Sequence, residues 1–228
     1  MARQAEAAGA VRFRIADTLG VLDPLAAHTL VAMVREAVEI GIEFHGHNDL
    51  GLATANTLAA AAGGATHLSV TVNGLGERAG NAALEEVAAA LAAFGAPTVF
   101  DLAALPALAA LVARASGRPI PAGKPVVGGN AFSHEAGIHV AGLLADPDTY
   151  EALDPGIFGR DHTIVIGKHS GTRAIQAALA AAGLPGDAGT VRAMLPLLRQ
   201  QVTEMKRPPT PEELARLYLS ACPAHPAE

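Results

Sequence analysis

Apolar and polar positions from Val11 to Ile15 alternate with a period of two, which predicts a strand ending at Asp17-Thr18-Leu19-Gly20. Asp23-Pro24 then supplies a helix cap followed by a proline suited to the first helical position, so a helix is predicted from Pro24 to about Ile40, stopped at Gly41. A second strand follows over Ile42–His45, a helix over Leu52–Ala62 ended by Gly63-Gly64, a third strand over His67–Val72 and a helix over Ala83–Phe94. Strand and helix alternate three times, the signature of parallel βαβ units with right-handed crossovers.

After this arc the pattern changes. Leu102–Ala115 reads as an alanine and leucine helix, and Ser116-Gly117-Arg118-Pro119-Ile120-Pro121 as a linker. A second module begins near residue 131. It holds Phe132-Ser133-His134-Glu135-Ala136-Gly137-Ile138-His139, then Asp148-Thr149-Tyr150-Glu151, and Gly167-Lys168-His169-Ser170-Gly171 opening a helix to about Ala182. Two more helices are predicted, Ala188–Lys206 and Pro211–Ser220, the last capped by Thr210. The division is 1–95 for the β/α arc, 96–130 for helix and linker, and 131–228 for a mainly helical subdomain.

A net charge of −6 with no Lys/Arg run interleaved with aromatics argues against nucleic acid as a partner. The single cysteine, Cys222, has no internal disulfide partner, and neither a leader peptide nor a bilayer-spanning apolar run is recognisable, so a cytoplasmic, membrane-free protein is expected.

The chemistry concentrates at strand ends. In His45-Gly46-His47-Asn48-Asp49 two histidines stand two residues apart, and in a strand such residues share a face, so both imidazoles can address one divalent ion. A polar strand end making ordinary hydrogen bonds accounts for the pair equally well. The loop Asn73-Gly74-Leu75-Gly76-Glu77-Arg78-Ala79-Gly80-Asn81 is rich in glycine and polar groups, and suits either an anion cradle of backbone N–H groups or a plain tight turn. Asn81 reads as a ligand or a helix cap, and Thr18 as a substrate contact or the closure of the Asp17 turn.

Together the run His45 to Asp49, the loop Asn73 to Asn81, His134 to His139, Thr149-Tyr150-Glu151 and Gly167 to Gly171 resemble the isopropylmalate/homocitrate synthase family of acyltransferases. The pairing of Thr149-Tyr150 with Gly167-Lys168-His169-Ser170-Gly171 looks most like the homocitrate synthases of the nitrogen-fixation type. The resemblance implies an α/β fold: a partial TIM barrel, its last three β/α units, followed by the helical C-terminal subdomain. A full barrel needs eight strands and about 250 residues, so the first five strands are expected outside this chain, along with an Asp-Arg-Glu-like motif supplying a metal-binding aspartate and a substrate-gripping arginine.

By the same resemblance a divalent ion (Mg, Mn, Fe or Zn) is held by His45, His47 and Asn81, Thr18 contacts the substrate, and His139 assisted by Tyr150 is the catalytic base. The implied reaction is condensation of acetyl-CoA with 2-oxoglutarate to homocitrate, in a homodimer or after pairing with an N-terminal half chain. In related enzymes the second module reaches over the partner subunit's barrel. His134 and His169 are expected to be structural or supporting groups. Isopropylmalate or citramalate synthesis from another 2-oxo acid, and an inactive fragment or assembly module, are the alternatives.

Overall fold

The computed structural model describes residues 1–96, 100–146, 149–151 and 153–222. Asp148 of the Thr149-Tyr150 motif lies outside the described residues. The chain divides into two compact units, residues 1–131 with 156–159, and residues 132–155 with 160–228.

The first unit opens on a short helix, α1 (Ala2–Ala7), and a strand, β1 (Arg12–Asp17). Helix α2 (Pro24–Ala37) is capped as expected, the Asp23 carboxylate accepting from Ala26 N at 2.9 Å. It ends three residues before Ile40, because Val38 turns extended. The Arg35 guanidinium donates to the Val38 carbonyl, while Glu6 Oε1 accepts from Glu39 N and Ile40 N at 2.8 and 3.1 Å. Strand β2 (Gly41–Gly46), helix α3 (Ala53–Ala62), strand β3 (His67–Ser69), helix α4 (Leu84–Ala93) and helix α5 (Leu105–Ser116) follow. β3 is shorter than the expected His67–Val72. Thr71 leaves the sheet to exchange backbone bonds with Ala82 and Leu84, and Val72–Gly74 coils into a 3-10 turn.

The three strands are parallel in the order β1-β2-β3, with Ile15 beside Phe44 and His45 between Ala16 and Ser69. Alternation makes the sheet two-faced. Ile15, Ile42 and Phe44 point into a core with Ala27, Val31 and Ala60 of α2 and α3. Gly63 permits the close approach of these helices, since a Cβ there would stand 2.7 Å from His28 O. The opposite face carries Arg12, Arg14, Glu43, His45 and Ser69. Glu43 is buried and satisfied by Arg12 at 3.2 Å and by Arg14.

In the second unit a two-stranded parallel sheet pairs β4 (Ser133–His134) with β5 (Thr163–Ile164), and α6 (Gly137–Leu143) follows β4. Helices α7 (Thr172–Ala181), α8 (Ala188–Met205) and α9 (Pro211–Ala221) bury Ile175, Leu179, Met194, Leu198, Leu214 and Tyr218 in one apolar cluster. Thr210 caps α9 in a reciprocal box with Glu213.

Candidate metal and substrate site

His45 and His47 fall on one face of β2 and its extension, and the side-chain period brings their Nε2 atoms to 3.3 Å with the rings edge-on. The register explains the next partner. Ser69 stands beside His45 on β3, and its Oγ lies 3.1 Å from His45 Nδ1, while Nε2 faces His47. Burial, then the neighbouring His47 and Arg14, lower the His45 pKa, so the imidazole is kept neutral and its lone pair available.

His47 forms an antiparallel bridge with Asn81, and directly opposed residues in such a bridge project to the same side. Asn81 Nδ2 donates to Leu75 O at 3.1 Å, whereas Asn81 Oδ1 is buried with no partner among the described residues. A buried acceptor left without a donor calls for an unseen cation or donor. The converging Nε2 atoms and the orphaned amide oxygen are a donor set that fits a divalent ion of borderline character. Among the described residues no group of three or more His, Cys, Asp or Glu is placed to hold a metal ion, so the set is two nitrogens and one neutral oxygen.

The glycine-rich loop serves Asn81. Gly80 adopts φ +93°, and a Cβ on Gly76 would stand 2.5 Å from Asn81 Nδ2. Gly74 N and Gly80 N donate to Thr71 O and Glu77 O, and Asn81 N donates to Gly74 O. With these donors engaged inside the loop, the tight-turn reading is the one the geometry favours over an anion cradle. Asn73, at φ +59°, donates its N–H to the buried Glu85 at 3.0 Å, and Lys124 lies 3.2 Å from Glu85 and 2.7 Å from Glu86. These carboxylates raise the Lys124 pKa against the opposing effect of burial, so the cation is firmly held.

Thr18 lies at the same C-terminal strand end. Asp17 organises its turn by accepting from Val21 N and Leu22 N, both at 3.1 Å. The Thr18 side chain is exposed and its hydroxyl makes no hydrogen bond among the described residues. Its carbonyl accepts from Arg78 Nη2 at 2.8 Å, and Arg78 also grips Asp49 through two bonds of 2.8 and 3.0 Å. Arg78, Asp49 and Ser69 were not singled out by sequence reasoning. The position of Ser69 follows from counting parallel register; the Arg78–Asp49 pair has no sequence signal.

In the second unit the structure brings His139 and Tyr150 together, stacked with ring centroids 4.5 Å apart at 29°. The Gly167–Gly171 segment steadies this site through its backbone. His169 N donates to Glu135 Oε1 at 2.9 Å, His169 O accepts from Gly137 N at 3.1 Å, and Ser170 Oγ accepts from Gly167 N at 2.8 Å. Gly167 leaves room for the Glu135 carboxylate, which a Cβ there would approach to 2.6 Å. The segment thereby fixes the start of α6, on which His139 rides. His134 stands edge-on to His139 and His162.

No helix among the described residues is long and apolar enough to cross a membrane. Residues 1–112 match the family described as HMGL-like, and residues 126–206 that described as homocitrate synthase post-HMGL domain-like. The chain is 47% identical over 218 residues to a 2-isopropylmalate synthase of Caldanaerobacter subterraneus, covering 95% of this chain and 57% of the relative. It is 44% identical to a homocitrate synthase of Nostoc sp., covering 96% and 58%. An (R)-citramalate synthase of Methanocaldococcus jannaschii is 46% identical, over 76% of this chain and 35% of the relative. The chain thus spans under three fifths of the length of these relatives. The two matched segments follow one another along the chain, the HMGL-like one first and the homocitrate synthase post-HMGL domain-like one second.

Proposed function

We propose that the chain contributes to a metal-dependent acyltransferase that condenses acetyl-CoA with a 2-oxo acid, 2-oxoglutarate giving homocitrate and CoA. The observation carrying this reading is the convergence of His45 Nε2 and His47 Nε2 at 3.3 Å beside the orphaned, buried Asn81 Oδ1. A divalent ion held there would supply Lewis-acid polarisation of the substrate's keto group. His45 and His47 supply the nitrogens, Asn81 the neutral oxygen, and Thr18 a hydroxyl free to bond the substrate carboxylate. Ser69 holds the His45 tautomer.

The methyl of acetyl-CoA is far less acidic than any side chain, so its proton must leave to a positioned base. In this reading His139 takes it, with the Tyr150 hydroxyl hydrogen-bonding the thioester oxygen as charge builds there. In this reading the protein works as a homodimer, and an aspartate from a further barrel segment would add to the ligand set. That segment, an Asp-Arg-Glu-like strand by family resemblance, also provides the arginine for the 2-oxo acid. The three strands described are, in this reading, the last three of a TIM barrel.

A second reading keeps the chemistry and changes the acid. Identity to a 2-isopropylmalate synthase, 47%, falls between the 44% and 51% of two homocitrate synthases, as does the 46% of a citramalate synthase. The deciding assay follows thiol release from acetyl-CoA by the chain combined with a polypeptide carrying the remaining strands. Release requiring 2-oxoglutarate and a divalent ion, and abolished by His47→Ala, supports the proposal. Equal release with pyruvate or 2-oxoisovalerate overturns the homocitrate assignment. Robust turnover by the 228 residues alone overturns the need for the additional aspartate.

A further inference from the structure

The Tyr150 ring is held from two sides. On one side it lies along α6. His139 and Gly142 are three residues apart and share a helix face, and the ring covers both: a Cβ on Gly142 would meet Tyr150 Cδ2 and Cε2 at 2.5 Å. On the other side its chain neighbour Glu151 is anchored, Glu151 Oε2 lying 2.7 Å from His162 Nε2. A carboxylate only accepts, so the Nε2–H of His162 is the donor. His162 Nδ1 is buried with no partner among the described residues, so the Glu151 contact is the polar bond orienting this ring.

The register places His162 where it is. Ile164 pairs with His134 across the β4–β5 ladder, so His162, two residues earlier, shares the His134 face, and the two rings stand 5.2 Å apart at 61°. His134 packs edge-on against the His162 ring. Burial, and after it His162 and His139, lower the His134 pKa, which keeps it neutral and spares His162 a facing charge. The Tyr150 hydroxyl makes no hydrogen bond among the described residues. Among the described residues, Tyr150 is held at its base and its ring face.

We propose that His162 is a positioning residue: through its bond to Glu151 it sets the Tyr150 ring on His139, leaving the phenol hydroxyl free to meet the substrate. This rests on the reading of His139 and Tyr150 as the proton-handling pair.

The test uses the 228-residue chain with 3-fluorotyrosine at its two tyrosines, Tyr150 and Tyr218. The Tyr150 ¹⁹F resonance reports the stacked imidazole, and Tyr218, in the α7–α9 core, serves as internal reference. His162→Leu is expected to move the Tyr150 resonance about as far as His139→Ala does while Tyr218 stays put. His162→Gln, which retains a donor, is expected to restore the native position. If His162→Leu also moves Tyr218, the fold has been disturbed, and Glu151→Ala then decides from the other end of the bond. A Tyr150 resonance unmoved by whichever variant keeps Tyr218 in place overturns the proposal. In the assembled enzyme the same variant should lower kcat about tenfold with KM for the 2-oxo acid unchanged. Movement of the resonance with kcat intact supports the positioning role and overturns the catalytic assignment of Tyr150, so the two readings fail separately.

Discussion

A Cβ on Gly80 would stand 2.1 Å from the carbonyl oxygen of Gly74, at a backbone φ of +93° that only glycine adopts without strain. Gly80→Ala should therefore open the loop that seats Asn81. A local cost of about 2 kcal/mol is expected, with a fall of about tenfold or more in affinity for Mn²⁺ or Zn²⁺ measured by titration calorimetry. Unchanged affinity would show that Asn81 is no ligand.

Lys124→Met should leave the charge of Glu85, which is 1% exposed, without its cation and with the Asn73 N–H as a donor. Breaking a buried ion pair from one side costs about 3 kcal/mol or more, visible as a lowered Tm of the first unit. Adding Glu85→Gln should recover most of the loss, because the stranded charge is then gone. A double variant no more stable than Lys124→Met would remove the charge argument.

Gly142→Ala sets two effects against each other. Alanine favours the helix by about 0.5–1 kcal/mol, while its methyl would occupy the seat of the Tyr150 ring. Retained or raised thermal stability with synthase turnover reduced at least about tenfold is the expected outcome. Full turnover would mean that the ring position has no bearing on the reaction.

The Arg207 guanidinium bonds both carboxylate oxygens of Glu213 at 2.8 and 2.7 Å, and the Thr210 N–H adds a third bond, holding the Glu213 pKa down to about 2 from an ordinary 4.5. A depressed carboxylate stabilises the fold above its unfolded pKa and loses that contribution as pH falls through the folded one. Fraying at the start of α9 should therefore develop between about pH 4.5 and 2. Arg207→Gln should shift the onset towards higher pH, as read from the Glu213 carboxyl carbon in an NMR titration. An unmoved titration would deny the pair its role.

Much of this was legible in the residues. Strand period alone places His45 and His47 on one face, and Asp23-Pro24 and Thr210 mark helix starts that the structure retains. Helix α2 ended early for a reason no local pattern carries, because Glu6, over thirty residues before, accepts the N–H groups that turn the chain at Glu39 and Ile40. The glycines of the 74–80 loop announced close approach without saying to what; it is Asn81. The His162–Glu151 bond was hidden because it joins a strand entrance to a segment beyond α6, and only the β4–β5 register brings them together.

Among the described residues β1 pairs on one side only, with β2, and one face of this edge strand carries the guanidiniums of Arg12 and Arg14, 46% and 59% exposed and both paired with Glu43. A bare strand edge invites a second copy to zip onto it, and fixed like charge along that edge is a common deterrent. Two copies meeting there would bring four cations together, with only one buried glutamate per chain to offset them. Self-association of this polypeptide should consequently be held off at low ionic strength and grow as salt shortens the reach of that repulsion, while an incoming strand bearing carboxylates would find the same rim inviting.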